Sequence, residues 1–283
     1  MSDPAPNVWL DGALVPVADA RISPFDHGLL VGDGVFETLR VYGGVPFAWR
    51  RHYERLVHSA DGLGLPVPDT WSLRAAADSV LTANGQAEAR LRITVTGGPS
   101  PLGSERGGAT PTVVVASSEV RPWAPSERVV TVPWPRNERG ATAGLKTISY
   151  AENVRALAYA HDHGASEAVF LNTRGELCEA TGSNIFTVSE GVVRTPPGDS
   201  GCLLGVTRAL VLELCEAMGV TVDEGALPAD AVAACDEAFL TSSTREVQGI
   251  SGVDGATLAG APGPMTRRLA AAFTDLVARE PDP

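Results

Sequence analysis

Several segments place apolar residues three and four positions apart, which is the spacing of an amphipathic α-helix. In Trp49–Leu63, tryptophan, tyrosine and leucine recur in this way among arginine, histidine and glutamate. Gly219 directly follows another such segment, and glycine is common just beyond the C-terminal end of a helix. The pattern predicts helices over residues 49–63, 71–83, 150–163, 207–218 and 265–280.

Other segments alternate between apolar and polar residues, or form short apolar runs, as β-strands do. Residues 8–15 read VWLDGALV and predict a hairpin, because Asp11-Gly12 favours a tight turn. Helices and strands follow one another without a regular β-α-β alternation, which favours an α+β fold over a doubly wound parallel sheet. Strands are predicted within residues 89–96, 112–117, 129–132, 167–172, 184–188 and 237–242.

A proline-containing stretch of mixed polarity, residues 117–127, separates the two halves of the chain. We place a domain boundary there, with a small N-terminal α/β domain over residues 1–120 and a larger C-terminal domain over residues 121–283. Residues 97–111 form another irregular stretch, rich in glycine and proline. A loop of this length inside a compact domain is usually functional or mobile.

The composition is that of a globular protein with a large core, since 44% of the 283 residues are hydrophobic and 20% are charged. The formal net charge of −12 is opposite in sign to that of a general nucleic-acid binder. The N-terminal residues lack the features of a secretory signal, and no run approaches the roughly 18 apolar residues of a membrane span. The sequence therefore predicts a cytoplasmic protein with no nucleic-acid or membrane partner.

The cysteines form no CxxC pair and show no metal-ligand spacing. We expect buried, reduced thiols and no metal site. The residues concerned are Cys178, Cys202, Cys215 and Cys235.

Lys146 is the only lysine of the chain, because the other 21 of its 22 basic residues are arginines. A lysine can survive by chance in an arginine-rich protein, but it can also be kept for its amine. A guanidinium stays protonated and is a poor nucleophile, whereas a desolvated lysine amine can attack a carbonyl and form an imine. Lys146 is thus a candidate nucleophile, placed between a polar loop and a predicted helix.

Four polar segments are further candidates, although each also fits an ordinary helix cap, turn or solvated surface. Residues 205–208, GVTR, open a predicted helix, and a helix start binds phosphate through its free N–H groups. Residues 241–246, TSSTRE, offer hydroxyls to an oxyanion. Glu179 in ELCEATGSNIF would need a cationic partner if buried. Arg55 in RRHYERL lies one helical turn beyond His52.

Taken together, these segments resemble one family. LDG, GDGVFETLR, HYERL, GLKTISYAENV, ELCEATGSNIF, LLGVTR and FLTSSTRE occur in the order found in class IV aminotransferases, the fold type IV pyridoxal-phosphate enzymes. The resemblance runs from about Val8 to the C-terminal helix. It implies two α/β domains with pyridoxal 5′-phosphate in the cleft between a small N-terminal and a larger, cofactor-binding C-terminal domain. It also implies a homodimer with the active site near the dimer interface.

The resemblance also implies a role for individual residues. Lys146 matches the lysine that forms the Schiff base, and it is the catalytic residue. Glu179 matches the acid that pairs with the pyridine nitrogen and keeps the ring protonated, so that the ring accepts electrons. The remaining matches are phosphate contacts: Arg55, Val206, Thr207, Ser242, Ser243 and Thr244.

The substrate is harder to predict, because the segments around it differ from each family member. D-amino-acid transaminases carry a tyrosine and an arginine where this chain has Phe36 and Gly97. Arg40 in FETLR resembles the FEGIR motif of branched-chain enzymes, and KTISY departs from the KxLNR-like stretch of the lyases. Arginines that offer a different carboxylate site are Arg90, Arg92, Arg106 and Arg136. The candidate substrate contacts are Phe36, Arg40, Arg90, Arg92 and Tyr150.

We therefore expect a transaminase that moves an amino group between D-amino acids or (R)-amines and 2-oxo acids. One alternative is a 4-amino-4-deoxychorismate lyase, which makes 4-aminobenzoate and pyruvate for folate and shares every cofactor residue. A second alternative is a branched-chain L-amino-acid transaminase. The cofactor motifs alone do not separate these three activities.

Overall fold

The computed structural model describes residues 6–108 and 110–283. The first five residues, which belong to the segment considered for a secretory signal, and position 109 of the 97–111 loop lie outside the described residues. The chain divides into two compact units. Unit 1 runs to Arg121 and takes in Leu145–Ser149 and Pro281–Pro283, whereas unit 2 comprises Pro122–Gly144 and Tyr150–Glu280. Lys146 thus belongs to unit 1, although both flanking segments belong to unit 2.

Unit 1 combines an antiparallel sheet with helices. Its strands are β1 (Asn7–Leu10), β2 (Ala13–Pro16), β3 (Gly34–Tyr42), β4 (Val45–Pro46), β5 (Ala89–Thr96) and β6 (Val113–Ser118). Its helices are α1 (His27–Val31), α2 (Trp49–Leu63) and α3 (Thr70–Asn84). The strands form a six-stranded sheet in the order β2-β1-β6-β5-β3-β4.

The two faces of this sheet differ, because successive side chains of a strand point to opposite sides. Val35 and Leu39 of β3 are fully buried and belong to a core that includes Leu56 of α2 and Leu73 of α3. Phe36 alternates with these residues and lies on the opposite face. Packing on the core face therefore fixes the position of β3, and with it that of Phe36 on the opposite face.

Unit 2 is built on a mixed sheet. Its strands are β7 (Ser126–Thr131), β8 (Glu167–Leu171), β9 (Leu177–Ala180), β10 (Asn184–Ser189), β11 (Val192–Thr195), β12 (Val222–Glu224), β13 (Glu237–Ser242), β14 (Glu246–Val253) and β15 (Ala256–Thr257). Its helices are α4 (Ala151–Asp162), α5 (Val206–Ala217), α6 (Ala231–Ala234) and α7 (Pro264–Arg279). The strand order is β12-β11-β10-β13-β14-β7-β8-β9, and β15 pairs with β14.

The predicted helices agree with α2, α3, α4, α5 and α7 to within one residue at each end. The predicted hairpin is confirmed, and its turn residues Asp11 and Gly12 have φ angles of 46° and 101°, as a tight hairpin turn requires. Several short elements and the longer β14 were not predicted from the sequence. The five-residue α1 starts at the cap Asp26, and β14 contains two glycines that weaken the pattern of a strand.

The mixed helices and sheets confirm the α+β class. Among the residues described, no helix combines the length and the apolar character needed to cross a bilayer. The cysteines are free, and all but the half-buried Cys235 are buried. Burial raises the pKa of the Cys215 and Cys235 thiols to about 11, so both stay protonated at neutral pH.

Candidate active site

The backbone around Lys146 is fixed by β3 and α2. The Phe36 N–H donates to the Lys146 carbonyl at 3.0 Å, and the Ile148 N–H donates to the Gly34 carbonyl at 2.9 Å. The Lys146 N–H donates to the hydroxyl of Ser59, a fully buried residue of α2, at 3.0 Å. Three hydrogen bonds therefore set the direction in which the lysine side chain leaves the backbone.

The aromatic ring of Phe36 lies against two cations. Lys146 Nζ is 4.5 Å from the ring centroid, and the guanidinium carbon of Arg92 is 3.8 Å from it. Arg92 Nε also donates to Thr94 Oγ1 at 3.1 Å. Arg92 faces Thr38 across the pairing of β3 with β5, which explains why it reaches the Phe36 ring. The register thus places the Arg92 guanidinium against the same aromatic ring that the lysine amine contacts.

The other candidate arginines of unit 1 are placed differently. Arg40 lies 2.5 Å from Glu88 and stacks on the ring of Tyr42 at 4.8 Å. Arg106, in the 97–111 loop, pairs with Asp33 and donates to backbone carbonyls at the end of α2. Arg90 is exposed and lies opposite Arg40 in the strand register, further along β5 from Phe36 than Arg92.

Arg55 projects from α2 onto a buried carboxylate. Its Nε and Nη2 donate to the two oxygens of Glu37 at 2.7 and 2.8 Å, and His52 Nδ1 lies 2.7 Å from the same carboxylate. Burial raises the pKa of Glu37, but the charge and hydrogen bonds of Arg55 outweigh it and hold the pKa well below its usual range. Burial lowers the pKa of His52, against the attraction of Glu37. The buried Glu37 carboxylate between Arg55 and His52 was not predicted from the sequence.

Glu179 lies in β9 of unit 2, and both of its carboxylate oxygens have neighbours. Oε2 accepts a hydrogen bond from the Leu203 N–H at 2.9 Å. Oε1 lies 3.5 Å from Arg136 Nε, a distance that allows an ion pair but is long for a hydrogen bond. The side chain is 14% exposed, so the carboxylate is reachable but largely enclosed.

Three segments of unit 2 meet at Asn184. Its Nδ2 donates to the Leu203 carbonyl at 2.6 Å, and its backbone pairs in register with Thr241 of β13. A Cβ at Gly205 would lie 2.1 Å from Asn184 Oδ1, so only glycine fits there. The predicted sequence segments ELCEATGSNIF, GVTR and TSSTRE are therefore neighbours in the folded unit.

The start of α5 has the features of an anion site. Gly205 is its N-cap and supplies no side-chain cap, and the buried Val206 and Thr207 follow in the first turn. Thr241 Oγ1, on the neighbouring strand, is buried and has no hydrogen-bond partner among the described residues. First-turn N–H groups and an unsatisfied hydroxyl are donors that suit a phosphate. Thr241 opens the TSSTRE segment whose hydroxyls the sequence singled out for an oxyanion, although the resemblance assigned only Ser242, Ser243 and Thr244 to the phosphate.

The remaining predicted residues of unit 2 are Ser242, Ser243, Thr244 and Tyr150. Ser242 ends β13, and its hydroxyl accepts a hydrogen bond from the Arg245 N–H at 3.2 Å. Ser243 and Thr244 form the turn between β13 and β14. Tyr150 is half-buried and immediately precedes α4.

The chemistry of these groups fits pyridoxal phosphate. Unit 1 supplies the amine of Lys146, and a lysine amine is a group that can form a Schiff base with an aldehyde. In unit 2, the Glu179 carboxylate suits a protonated ring nitrogen, and the start of α5 with the Thr241 hydroxyl suits a phosphate.

A family model for amino-transferase class IV matches residues 34–253. A putative branched-chain-amino-acid aminotransferase of Methanocaldococcus jannaschii is 34% identical, covering 95% of this chain and 96% of that protein. A D-alanine aminotransferase of Bacillus licheniformis is 30% identical, with 96% and 98% covered.

Solved structures show the same likeness. A branched-chain aminotransferase of the archaeon Thermoproteus uzoniensis, solved with norvaline, superposes with a TM-score of 0.91 at 30% identity, covering 97% of this chain and 95% of that one. Another branched-chain amino acid aminotransferase, complexed with N-(5′-phosphopyridoxyl)-L-glutamate, has a TM-score of 0.91 at 29% identity, with 98% and 96% covered. A putative 4-amino-4-deoxychorismate lyase of Legionella pneumophila has a TM-score of 0.87 at 24% identity, with 92% and 96% covered, and this shows the fold alone. The chain therefore belongs to the class IV aminotransferases, transferases of fold type IV that use pyridoxal phosphate.

Proposed function

We propose that this aminotransferase takes D-amino acids or (R)-amines as amino donors and 2-oxo acids as acceptors, and that Arg92 receives the substrate carboxylate. The observation that carries the proposal is the contact of both Lys146 Nζ and the Arg92 guanidinium with the Phe36 ring. A substrate held next to the lysine amine lies within reach of that guanidinium. The likeness to a D-alanine aminotransferase supports the choice of D-amino acids.

The positions of the other arginines favour Arg92 for this role. Arg40 already pairs with Glu88 at 2.5 Å, and Arg106 pairs with Asp33. Along β3, Arg40 lies four residues from Phe36, whereas Arg92 lies opposite Thr38, only two residues from Phe36. Arg90 lies two residues away from Arg92 on β5, on the same face but further from Phe36.

The residues divide the work in the following way. Pyridoxal phosphate supplies an aldehyde that binds amines and a ring that accepts electrons. We assign the transfer of the substrate α-proton to Lys146 Nζ, because its backbone is fixed by β3 and Ser59. Glu179 accepts a hydrogen bond from the ring nitrogen. The start of α5, Ser242, Ser243 and Thr244 bind the phosphate.

Arg55 is also proposed to bind the cofactor phosphate. It contributes positive charge to the phosphate while Glu37 fixes its orientation from the buried side. A planar guanidinium held by two hydrogen bonds loses little freedom when it binds a further anion.

Branched-chain L-amino acids are the second candidate donors. The likeness to branched-chain aminotransferases and the FETLR segment with Arg40 favour them. The 4-amino-4-deoxychorismate lyase stays a prediction from sequence and becomes one outcome of the test below.

The test is a half-reaction in which the visible band of the bound cofactor is followed after each donor is mixed with the enzyme. D-alanine, (R)-1-phenylethylamine and L-leucine are compared, and aminodeoxychorismate is tested for release of 4-aminobenzoate. Loss of the band with D-alanine supports the proposal. Loss with L-leucine alone replaces it by the branched-chain activity, and 4-aminobenzoate formation without any amino transfer replaces it by the lyase.

Arg92→Gln tests the carboxylate contact. A lost charge-assisted hydrogen bond costs about 1.5–3 kcal/mol, so we expect kcat/KM for D-alanine to fall by roughly 10- to 150-fold. The control Arg90→Gln removes an arginine of the same strand that is exposed like Arg92 but lies further from Phe36, and it should change kcat/KM little. An equal loss in both variants would contradict the assignment.

We also propose that the enzyme is a homodimer. Unit 1 exposes apolar side chains around α1 and in the 97–111 loop, and an apolar surface of this kind usually marks an interface. These side chains are Ile22 (52% exposed), Phe25 (50%), Leu29 (70%), Leu30 (38%), Val31 (47%) and Leu102 (76%).

Light scattering tests the homodimer directly. Leu29→Arg should yield monomers, whereas Trp71→Arg, at an exposed residue of α3, should leave the dimer intact. A wild-type mass equal to one chain would refute the proposal. We place the enzyme in the cytoplasm because its free thiols suit a reducing compartment, and cell fractionation tests this.

A further inference from the structure

Arg136 is held in unit 2 by contacts on each part of its guanidinium. Nη1 lies 2.5 Å from Glu152 Oε2, and Nη2 donates to Asn153 Oδ1 at 3.1 Å. The guanidinium carbon stacks on Phe170, 4.1 Å from the ring centroid. Its backbone N–H donates to the Leu171 carbonyl at 2.7 Å. Both ends of the residue are therefore fixed by β8 and the first turn of α4.

The third nitrogen of this guanidinium faces the carboxylate of Glu179. Arg136 Nε lies 3.5 Å from Oε1, and it is buried without a hydrogen-bond partner among the residues that the structure describes. A buried N–H normally finds a partner, so its position beside Glu179 calls for an explanation. The contact acts through charge, because a cation stabilises an adjacent anion without a hydrogen bond.

We propose that Arg136 is a positioning residue that acts through Glu179 on the ring nitrogen of pyridoxal phosphate. Its charge lowers the proton affinity of that nitrogen. The inference rests on the proposed assignment of Glu179 to that nitrogen. Glu179 favours a protonated ring because its negative charge attracts the proton. The positive charge of Arg136 offsets part of the negative charge of Glu179, and the negative charge of Glu152 in turn offsets part of the positive charge of Arg136.

The charges around Glu179 determine the direction in which Arg136 changes the proton affinity of the ring nitrogen. Burial raises the pKa of the Cys178 and Cys202 thiols, so both neighbours are uncharged at neutral pH. Arg208, near Cys202, pairs with Glu224 at 2.7 Å. Arg136, Cys178 and Cys202 interact with Glu179 directly, whereas Glu152 is linked to it through Arg136 and Arg208 through Cys202.

Because Arg136 and Glu152 carry opposite charges, removing each of them should shift the pH at which the ring nitrogen loses its proton in opposite directions. Removing the cation with Arg136→Gln should raise the pH at which the ring nitrogen loses its proton by about one unit, a tenfold change in proton affinity. Removing the anion behind it with Glu152→Gln should lower that pH, because Arg136 is then less compensated. A merely structural role of Arg136 predicts no such reversal of sign between its own variant and that of its partner.

The experiment is solid-state ¹⁵N NMR of the holoenzyme reconstituted with pyridoxal phosphate labelled with ¹⁵N in the ring. The chemical shift of the ring nitrogen reports its protonation, and the pH midpoint is measured without any turnover. Glu179→Gln is the reference variant and should lower the midpoint. Arg139→Gln is the matched control, since this neighbouring arginine is 79% exposed, and it should leave the midpoint unchanged.

The outcomes separate this inference from the site assignment. If Glu179→Gln leaves the midpoint unchanged, Glu179 does not bind the ring nitrogen, and the assignment and the inference both fail. If Glu179→Gln lowers the midpoint while Arg136→Gln lowers it or leaves it unchanged, only the inference is overturned. Should Arg136→Gln not retain the cofactor, Glu152→Gln decides, and a midpoint that rises or stays unchanged overturns the inference.

Discussion

Arg55→Met should destabilise the folded protein as well as weaken cofactor binding. Arg55 makes two hydrogen bonds of 2.7 and 2.8 Å to Glu37, which is 0% exposed. Removing one partner of a buried ion pair leaves an uncompensated charge and costs about 3–5 kcal/mol. Domains are typically stable by only ~5–15 kcal/mol. A lost cofactor in this variant would therefore not by itself prove a phosphate contact.

The double variant Glu37→Gln/Arg55→Met separates the two effects. It removes both charges of the pair, and the glutamine amide keeps a polar partner for His52 Nδ1. We expect this variant to recover most of the lost stability while its cofactor affinity stays low. Urea unfolding of the apoenzyme measures the stability, and titration with pyridoxal phosphate measures the affinity. The reasoning fails if Arg55→Met loses less than about 1 kcal/mol, the value of an exposed ion pair, or if the double variant is no more stable.

Two further predictions follow from the site. Gly205→Ala should weaken cofactor binding at least about tenfold, because its Cβ would lie 2.1 Å from Asn184 Oδ1, whereas Gly103→Ala, with open space around it, should bind normally in the same titration. The apoenzyme should lose stability as the pH falls below 6.5, the ordinary pKa of histidine, because the pKa of buried His52 is lowered and the unfolded chain takes up that proton first. The loss should grow below pH 4.5, the ordinary pKa of glutamate, since the pKa of Glu37 is lowered in the folded state; unfolding free energies that stay flat with pH would contradict both statements.

The sequence predicted what depends on short-range patterns. The period of apolar residues predicted the bounds of α2, and the absence of any other lysine made Lys146 a candidate nucleophile. The resemblance then assigned roles to Lys146 and Glu179. Residue 205 was predicted to open a helix, and the structure adds that a Cβ there would lie 2.1 Å from Asn184 Oδ1.

These short-range patterns do not predict contacts between residues that are far apart in the chain. The stacking of Arg92 on Phe36 depends on the register of β3 with β5, which are separated by more than forty residues in the chain. A one-residue shift of that register would turn Arg92 to the other face of the sheet. The Glu37 partner of Arg55 was likewise missed, because a glutamate in a strand does not indicate by itself that it is buried.

The central claim is that Lys146 forms the Schiff base with pyridoxal phosphate, and borohydride reduction tests it most directly. The reduced holoenzyme is digested, and the peptide that carries the cofactor is identified by mass spectrometry. We predict a single labelled peptide that contains Lys146, and no labelled peptide from Lys146→Ala. Cofactor fixed to another peptide, or retained covalently by Lys146→Ala, would contradict the account.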